Sequence, residues 1–201
     1  MPRLLLLLPT ATYRAADFVR AAAALGAEVV VGSERRQALA RSMRDRAVVV
    51  DLSRPERAAD AIVALAERSP LDGIVAVDDQ GVMAAALAAR RLGLPHNPPT
   101  AVALTRDKAA MRAALDAWQG GGPGGGPGGG PGGGPGEGPG WGPGGGVPQP
   151  RWRVAGPGDD VGMVAAGVGF PCVVKPTSLS ASRGVIRADD VGAARVAVAQ
   201  A

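Results

Sequence analysis

Four short apolar runs, each followed by a helical pattern, dominate the first half of the sequence. The runs carry little charge, as expected for parallel strands that are covered on both faces. They occupy residues 4–8, 28–31, 47–51 and 73–77. The helical patterns occupy residues 13–25, 34–43, 55–68 and 80–92. This alternation predicts a doubly wound α/β layer built on a parallel sheet.

The sequences that follow these strands narrow the classes of protein to which the α/β layer can belong. Ligands of such sheets bind outside the carboxyl ends of the strands. The connections there contain neither G-x-G-x-x-G nor G-x-x-x-x-G-K-[ST], which disfavours a dinucleotide dehydrogenase and a P-loop NTPase. Asp78 and Asp79 could contact a substrate, but acidic residues before a helix are more often caps. Ser53 and Glu56 predict a capping box for the helix at residues 55–68.

A Gly/Pro block interrupts the second half of the sequence. Residues 120–146 are all Gly or Pro except Glu137 and Trp141, and they hold 19 of the 31 glycines. The block repeats every four residues, whereas a collagen helix needs Gly at every third. With so few side chains to bury, the composition predicts a disordered insertion. We interpret it as a neutral repeat expansion, and the alternative is a segment that binds a partner.

The charge and the cysteine content narrow the class of protein. The formal charge is +4 and the pI is about 10.2, but the arginines alternate with acidic residues and aromatic residues are few. This pattern disfavours nucleic-acid binding. The single cysteine, Cys172, excludes an internal disulfide bond and fits a reducing compartment. No run resembles a signal peptide or a membrane helix, so we expect a cytoplasmic protein without membrane contact.

Lysine is rare in this chain, and its two positions are the candidate chemical site. Only Lys108 and Lys175 are lysines among 22 basic residues. Lys175 ends the apolar run "FPCVV", and the loop "PTSLSASRG" follows it. Hydroxyl groups, main-chain N–H groups and a flexible glycine in such a loop can cover a polyphosphate. A surface hairpin with its lysine in water is equally compatible. The candidate binding residues are Lys108, Lys175, Ser178, Ser180, Ser182 and Gly184.

The other elements of the second half follow from local patterns. "TRDKAAMRAALDAW" predicts a helix that Thr105 or Asp107 opens. Further strands are expected at residues 150–156, 170–176 and 184–188. Further helices are expected near residues 159–166 and from residue 189. His96 lies between prolines and is expected in a turn rather than as a general base, and Cys172 is expected to be a core side chain.

The motifs "DKAAMR", "GFPCVVKP" and the small-residue loop ending in "RGV" resemble the ATP-grasp superfamily. That superfamily includes carboxylate–amine ligases, biotin carboxylase and purine-pathway synthetases. The resemblance implies a pre-ATP-grasp, Rossmann-like domain with a parallel sheet at residues 1–100. It also implies an incomplete α+β ATP-grasp domain at residues 101–201, interrupted by the insertion at 120–146.

The resemblance also implies a function. Lys108 and Lys175 match the lysines that contact ATP phosphates, and residues 178–184 match the loop that closes over the triphosphate. Asp107 and Arg112 are expected to be a helix cap and a surface partner. The implied reaction activates a small carboxylate as an acylphosphate, which an amine then attacks. A homodimer is possible.

The Mg²⁺ ligands and catalytic residues of the superfamily lie in a later part that this sequence does not match. We therefore expect a fragment that binds ATP weakly and is inactive alone. Two alternatives are a biotin-carboxylase-like or purine-synthetase-like enzyme, and a non-catalytic nucleotide-binding or interaction module.

Overall fold

The computed structural model describes residues 1–10, 15–35, 46–117, 149–180 and 182–201. The chain divides into two compact units, Met1–Ala103 and Leu104–Ala201. Most of the helix expected at residues 34–43, the start of the helix expected at residue 13 and the whole Gly/Pro block lie outside the described residues.

The first unit contains a four-stranded parallel sheet with the strand order β3–β2–β1–β4. The strands are β1 (Arg3–Leu7), β2 (Glu28–Ser33), β3 (Ala47–Val49) and β4 (Gly73–Ala76). In the register, Leu5 lies opposite Val30 on one side and Ile74 on the other. The α/β class with a parallel sheet, predicted from the apolar runs, is confirmed.

Helices follow the strands of this unit in the predicted rhythm. They are α1 (Ala15–Ala24), α2 (Pro55–Arg68), a short 3₁₀ helix (Asp79–Gly81), α3 (Val82–Arg91) and α4 (Pro99–Arg106). The sequence pattern predicted a helix that begins at Thr105 or Asp107, and it did not predict α4 before it. The two helices separate at Asp107, whose side chain caps the next helix.

Strand β1 and the residue after it supply the core on both faces of the sheet. Leu5 and Leu7 belong to the larger cluster of buried side chains, and Leu6 and Leu8 belong to the smaller one. Successive strand residues point to opposite faces, which produces this division. The larger cluster extends through β2, α2 and α3 and includes Val30, Ile62 and Leu87. The smaller cluster contains Val31 and Val77, with Phe18 of α1 packed against it.

The capping box expected at the start of α2 is not formed. Arg54 is the N-cap residue and makes no side-chain capping hydrogen bond. The Ser53 hydroxyl instead donates to Oδ1 of Asp51 at 2.5 Å, and the Ser53 N–H donates to the same oxygen at 3.0 Å. The ionised Asp51 carboxylate is a stronger hydrogen-bond acceptor than a neutral oxygen, so it binds the Ser53 hydroxyl. This bond lowers the pKa of Asp51.

The second unit is built on a two-stranded antiparallel sheet. Strands β5 (Cys172–Val174) and β6 (Ile186–Ala188) pair so that Val173 lies opposite Arg187. The helices are α5 (Lys108–Ala117), α6 (Val161–Val168) and α7 (Val191–Gln200). Small side chains of α6, β6 and α7 form the buried cluster Ala165, Ala188 and Ala194, against which Cys172 packs.

The prediction of a strand at residues 150–156 is wrong. This segment has no regular secondary structure, and in the described residues the only partner strands of this unit are β5 and β6. Trp152 of this segment is instead held by its side chain, whose Nε1 donates to Oδ2 of Asp116 at 2.8 Å.

We predict that Ile62→Ala destabilises the first unit by about 2–5 kcal/mol, because the fully buried side chain leaves a cavity in the larger cluster. Glu67→Ala, on an exposed position of the same helix, is the control and should change stability by less than about 0.5 kcal/mol. Urea unfolding followed by circular dichroism measures both. Equal effects of the two variants would contradict the assignment of Ile62 to the core.

Candidate functional site

The loop between β5 and β6 carries most of the residues that the sequence singled out. Lys175 follows β5 immediately, and its side chain is exposed. Within the described part of the chain, the Lys175 ammonium has no recorded hydrogen-bond or ion-pair partner. Ser178 and Ser182 are exposed, whereas Ser180 is half-buried. The antiparallel pairing of the two strands holds both ends of this loop together.

Tight turns shape the second half of the loop. The N–H of Arg183 donates to the carbonyl oxygen of Ser180 at 3.3 Å, and the N–H of Val185 donates to that of Ser182 at 3.4 Å. Ser182 and Gly184 have left-handed backbone angles, with φ values of 58° and 66°. A side chain at Gly184 would be unfavourable for a second reason, because a Cβ atom there would lie 2.8 Å from Cγ of Pro176.

Lys108 contacts the first half of the same loop. Its main-chain N–H donates to the carbonyl oxygen of Thr177 at 2.9 Å. Its Nζ atom donates to the carbonyl oxygen of Leu179 and lies 3.5 Å from that of Thr177. The start of α5 therefore lies against the segment that begins two residues after Lys175.

Asp107 fixes the position of Lys108. Its Oδ1 atom accepts hydrogen bonds from the N–H groups of Ala109 and Ala110 at 2.8 and 2.9 Å. This is an N-cap, which satisfies donors of the first helical turn and sets where the helix begins. The expectation that Asp107 is a helix cap is confirmed. Lys108 consequently occupies the first helical position, with its N–H free to bind the loop.

The structure thus gathers the six candidate residues around one loop. Lys175, Ser178, Ser180, Ser182 and Gly184 lie within it, and Lys108 contacts it. Two lysine side chains beside a loop rich in hydroxyl and N–H groups form an arrangement that can bind a polyanion. The carbonyl oxygens of Thr177 and Leu179 were missed by the sequence analysis. A main-chain acceptor leaves no mark in the residue types, so no sequence signal could have identified these partners.

A second polar cluster joins α5 to the segment at residues 149–152, and we call it the clasp. Gln149 donates through Nε2 to the carbonyl oxygen of Arg112 at 3.0 Å and to Oδ1 of Asp116 at 2.5 Å. Nη1 of Arg112 donates to Oε1 of Gln149 at 3.0 Å. Trp152 completes the clasp through Asp116. Arg112 is therefore a structural partner at the surface, as expected.

The remaining candidate residues are Asp78, His96 and Cys172, and their described contacts do not involve the loop. Asp78 accepts from the N–H of Asp79 at 3.0 Å and caps the 3₁₀ helix, which confirms the cap interpretation for Asp78. His96 is exposed, and its Nδ1 atom lies 2.8 Å from the carbonyl oxygen of Leu94. Cys172 is a half-buried free thiol.

The described ranges contain neither a metal-binding cluster nor a membrane-spanning helix. Among those residues, no group of three or more His, Cys, Asp or Glu side chains is placed to hold a metal ion. No helix in the same ranges is long and apolar enough to span a bilayer.

Asp160 links α6 to α7. It is the N-cap of α6, and its Oδ1 atom accepts from the N–H of Gly162 at 2.9 Å and from Nη2 of Arg195 at 3.2 Å. The bond from Arg195, followed by the main-chain bonds from Gly162 and Met163, lowers the pKa of Asp160. The ionised carboxylate therefore stabilises the helices that cover β5 and β6.

Residues 19–96 match the family model of the ATP-grasp N-terminal domain. The crystal structure of an L-amino acid ligase from Bacillus licheniformis is 17% identical with a TM-score of 0.61, and the match covers 100% of this chain and 41% of the ligase. A phosphoribosylglycinamide synthetase from Anaerococcus prevotii is 22% identical with a TM-score of 0.43 over 57% of this chain and 28% of that one. No curated protein matches the chain.

The family match confirms the ATP-grasp resemblance for residues 19–96 of the first unit, and it does not extend to the lysine motifs. The family model covers α2, α3 and three strands of the first unit. The ligase shares the fold over the full length of this chain, which spans less than half of the ligase.

We predict that Gly184→Ala destabilises the second unit by at least about 1 kcal/mol, because it combines a left-handed backbone with a steric clash against Pro176. Gly93→Ala is the matched control, since Gly93 has nearly the same φ of 67° and no atom lies within 4 Å of a Cβ placed there. It should cost less than Gly184→Ala in chemical denaturation. Equal costs would show that Pro176 does not restrict this position.

We predict that Asp160→Ala lowers the melting temperature at pH 7, and that this loss shrinks in acid. The folded pKa of Asp160 is lowered, so its stabilisation is complete above the usual carboxyl pKa and disappears as pH falls through the folded pKa. Asp160→Asn keeps a capping acceptor and should lose less. Melting curves between pH 7 and pH 2 measure the effect. A loss that does not change with pH would contradict the role of the charge.

Proposed function

We propose that this chain is the ATP-binding portion of an ATP-grasp ligase that joins a carboxylate to an amine. In this proposal, the first unit is the pre-ATP-grasp domain and the second unit is an incomplete ATP-grasp domain. The match of residues 19–96 to the ATP-grasp N-terminal domain supports the first assignment. The fold shared with an L-amino acid ligase over the whole chain supports the second.

The single observation that carries the proposal is the meeting of Lys108 with the loop that follows Lys175. The chain uses arginine for 20 of its 22 basic residues, yet its two lysines are both found at this loop. Lysine presents a compact charge on a flexible stem, whereas arginine presents a rigid planar fork. A phosphate chain that changes position during a reaction favours the lysine stem.

The loop supplies neutral donors beside these charges. Ser178, Ser180 and Ser182 offer hydroxyl groups, and the left-handed turn at Gly184 directs the chain back to β6. N–H and hydroxyl donors can surround phosphate oxygens that the two ammonium groups attract. We assign ATP binding to Lys108, Lys175, Ser178, Ser180, Ser182 and Gly184.

The proposed reaction has two steps. A carboxylate oxygen attacks the γ-phosphorus of ATP, the bond to the β-phosphate oxygen breaks, and ADP leaves. The amine nitrogen then attacks the acyl carbon, inorganic phosphate leaves, and the nitrogen loses a proton. In this sequence Lys108 and Lys175 bind and orient the phosphates, and their charges offset the negative charge of the triphosphate.

Mg²⁺ accompanies ATP in reactions of this class and neutralises phosphate charge. The described residues lack a cluster of three donors that suits this ion, so we assign no Mg²⁺ ligand and no step that depends on one. We propose that this chain binds ATP weakly and does not turn it over alone, because the residues that hold Mg²⁺ and catalyse the reaction in the superfamily match no part of this sequence. A non-catalytic nucleotide-binding module is the second candidate function. The contact between Lys108 and the loop after Lys175 favours it as well.

The calorimetric titration of the chain with Mg-ATP tests the assignment. We predict that Lys108→Met and Lys175→Met each weaken binding by about tenfold or more, because each removes a charge-assisted hydrogen bond to a phosphate. Arg187→Met is the matched control, since it removes an exposed cation from β6 of the same sheet. It should leave the affinity within about twofold.

Two outcomes would contradict the proposal. One is an affinity that neither lysine variant changes. The other is an equal loss in all three variants, which would indicate a general effect of positive charge. Release of ADP in the presence of amino acids, measured in parallel, separates a ligase fragment with residual activity from a module that only binds.

A further inference from the structure

Lys108 is attached to the loop in two ways that are chemically separate. The main-chain N–H binds the carbonyl oxygen of Thr177, and this bond is independent of the side chain. The ammonium group binds the carbonyl oxygen of Leu179 and lies near that of Thr177. The second attachment reaches two residues further along the loop than the first.

The two lysines differ in whether their ammonium groups already have hydrogen-bond partners. The Lys175 ammonium has no recorded partner within the described ranges and is exposed to water. The Lys108 ammonium already has carbonyl oxygens as partners. A carbonyl oxygen carries only a partial charge, whereas a phosphate oxygen carries a formal one and forms the stronger bond with an ammonium group. A phosphate can therefore displace these carbonyl oxygens.

We propose that the Lys108 side chain is an exchangeable tether. In the nucleotide-free chain it holds the segment at residues 177–179 against the start of α5. When ATP binds, the ammonium passes from the Leu179 carbonyl oxygen to a phosphate oxygen, and the segment is then free to turn its own donors to the same phosphates. The exchange depends on the proposed function, whereas the tether in the nucleotide-free chain does not.

Few other contacts hold this segment. Thr177, Ser178 and Leu179 are all exposed, so burial contributes little to their position. The main-chain bond from Lys108 fixes Thr177 only. Loss of the ammonium should thus loosen the loop beyond Thr177 without unfolding the unit, since opening of exposed segments is local.

Trypsin gives a direct measure of this opening, because Arg183 lies in the same loop. Its side-chain Nε donates to the carbonyl oxygen of Ser180 at 3.2 Å, so access to the Arg183–Gly184 bond requires the loop to open. Without nucleotide, Lys108→Met should speed cleavage at this bond by about three- to tenfold, because a hydrogen bond from a charged group is lost.

Arg112→Met is the control for this measurement. It removes a cation one turn further along α5, whose partner is Gln149 rather than the loop. Cleavage at Arg183 should remain unchanged in this variant. Lys108→Arg, which keeps a cationic donor, should restore at least part of the slow rate. Equal cleavage in Lys108→Met and in the parent chain would overturn the tether.

A measurement on the parent chain does not depend on how the variants fold. Since there are only two lysines, labelling with ¹³C-lysine gives one Cε signal for each. Relaxation of the Lys108 signal should report a restrained side chain and that of Lys175 a mobile one. Equal mobility of the two signals would also overturn the tether.

Addition of Mg-ATP tests the exchange. The Lys108 signal should shift with the affinity that calorimetry gives, and Lys108 should stay restrained because its ammonium then binds a phosphate. If ATP binds and the Lys108 signal does not move, the exchange is wrong and the tether stands. If no ATP binds, both the proposed function and the exchange fail, and the nucleotide-free measurements still decide the tether.

Discussion

Burial of β1 on both faces is the constraint on which the first unit depends. Its leucines alternate between two hydrophobic clusters, so helices must cover both sides of the sheet. Parallel pairing with β2 and β4 on either side requires a crossover connection for each neighbour. The direction of the strand order changes at β1, which places the carboxyl ends of β1 and β4 beside each other. In sheets of this type, that edge is where ligands enter.

Aspartate side chains set where the elements of the second unit begin. Asp107, Asp160 and Asp190 cap α5, α6 and α7 by accepting main-chain N–H bonds from the first turn. The caps do more than stabilise helices. The cap at Asp107 determines that Lys108 is the first helical residue, so its main-chain N–H and its ammonium reach the same loop. The location of the candidate site therefore follows from a local capping interaction and from the pairing of β5 with β6.

The parts of the structure that depend on side-chain patterns could be predicted from the sequence. The apolar runs of the four parallel strands and the bounds of α2 are examples, because burial dictates their residue types. The presence of α4, the absence of a strand at residues 150–156 and the serine contact at Asp51 could not. Each depends on which hydrogen-bond partners the folded chain brings together. The sequence of a single segment does not determine these partners. The rarity of lysine indicated the candidate site, whereas nothing in the sequence indicated the carbonyl partners of Lys108.

The clasp formed by Arg112, Asp116, Gln149 and Trp152 fixes the two chain ends that flank the Gly/Pro block. Because the clasp holds both ends in place, one more four-residue repeat costs only about 0.1 kcal/mol by the logarithmic law of loop closure. The free energy of folding is therefore nearly insensitive to the length of this block, whereas it depends directly on the four side chains that bound it.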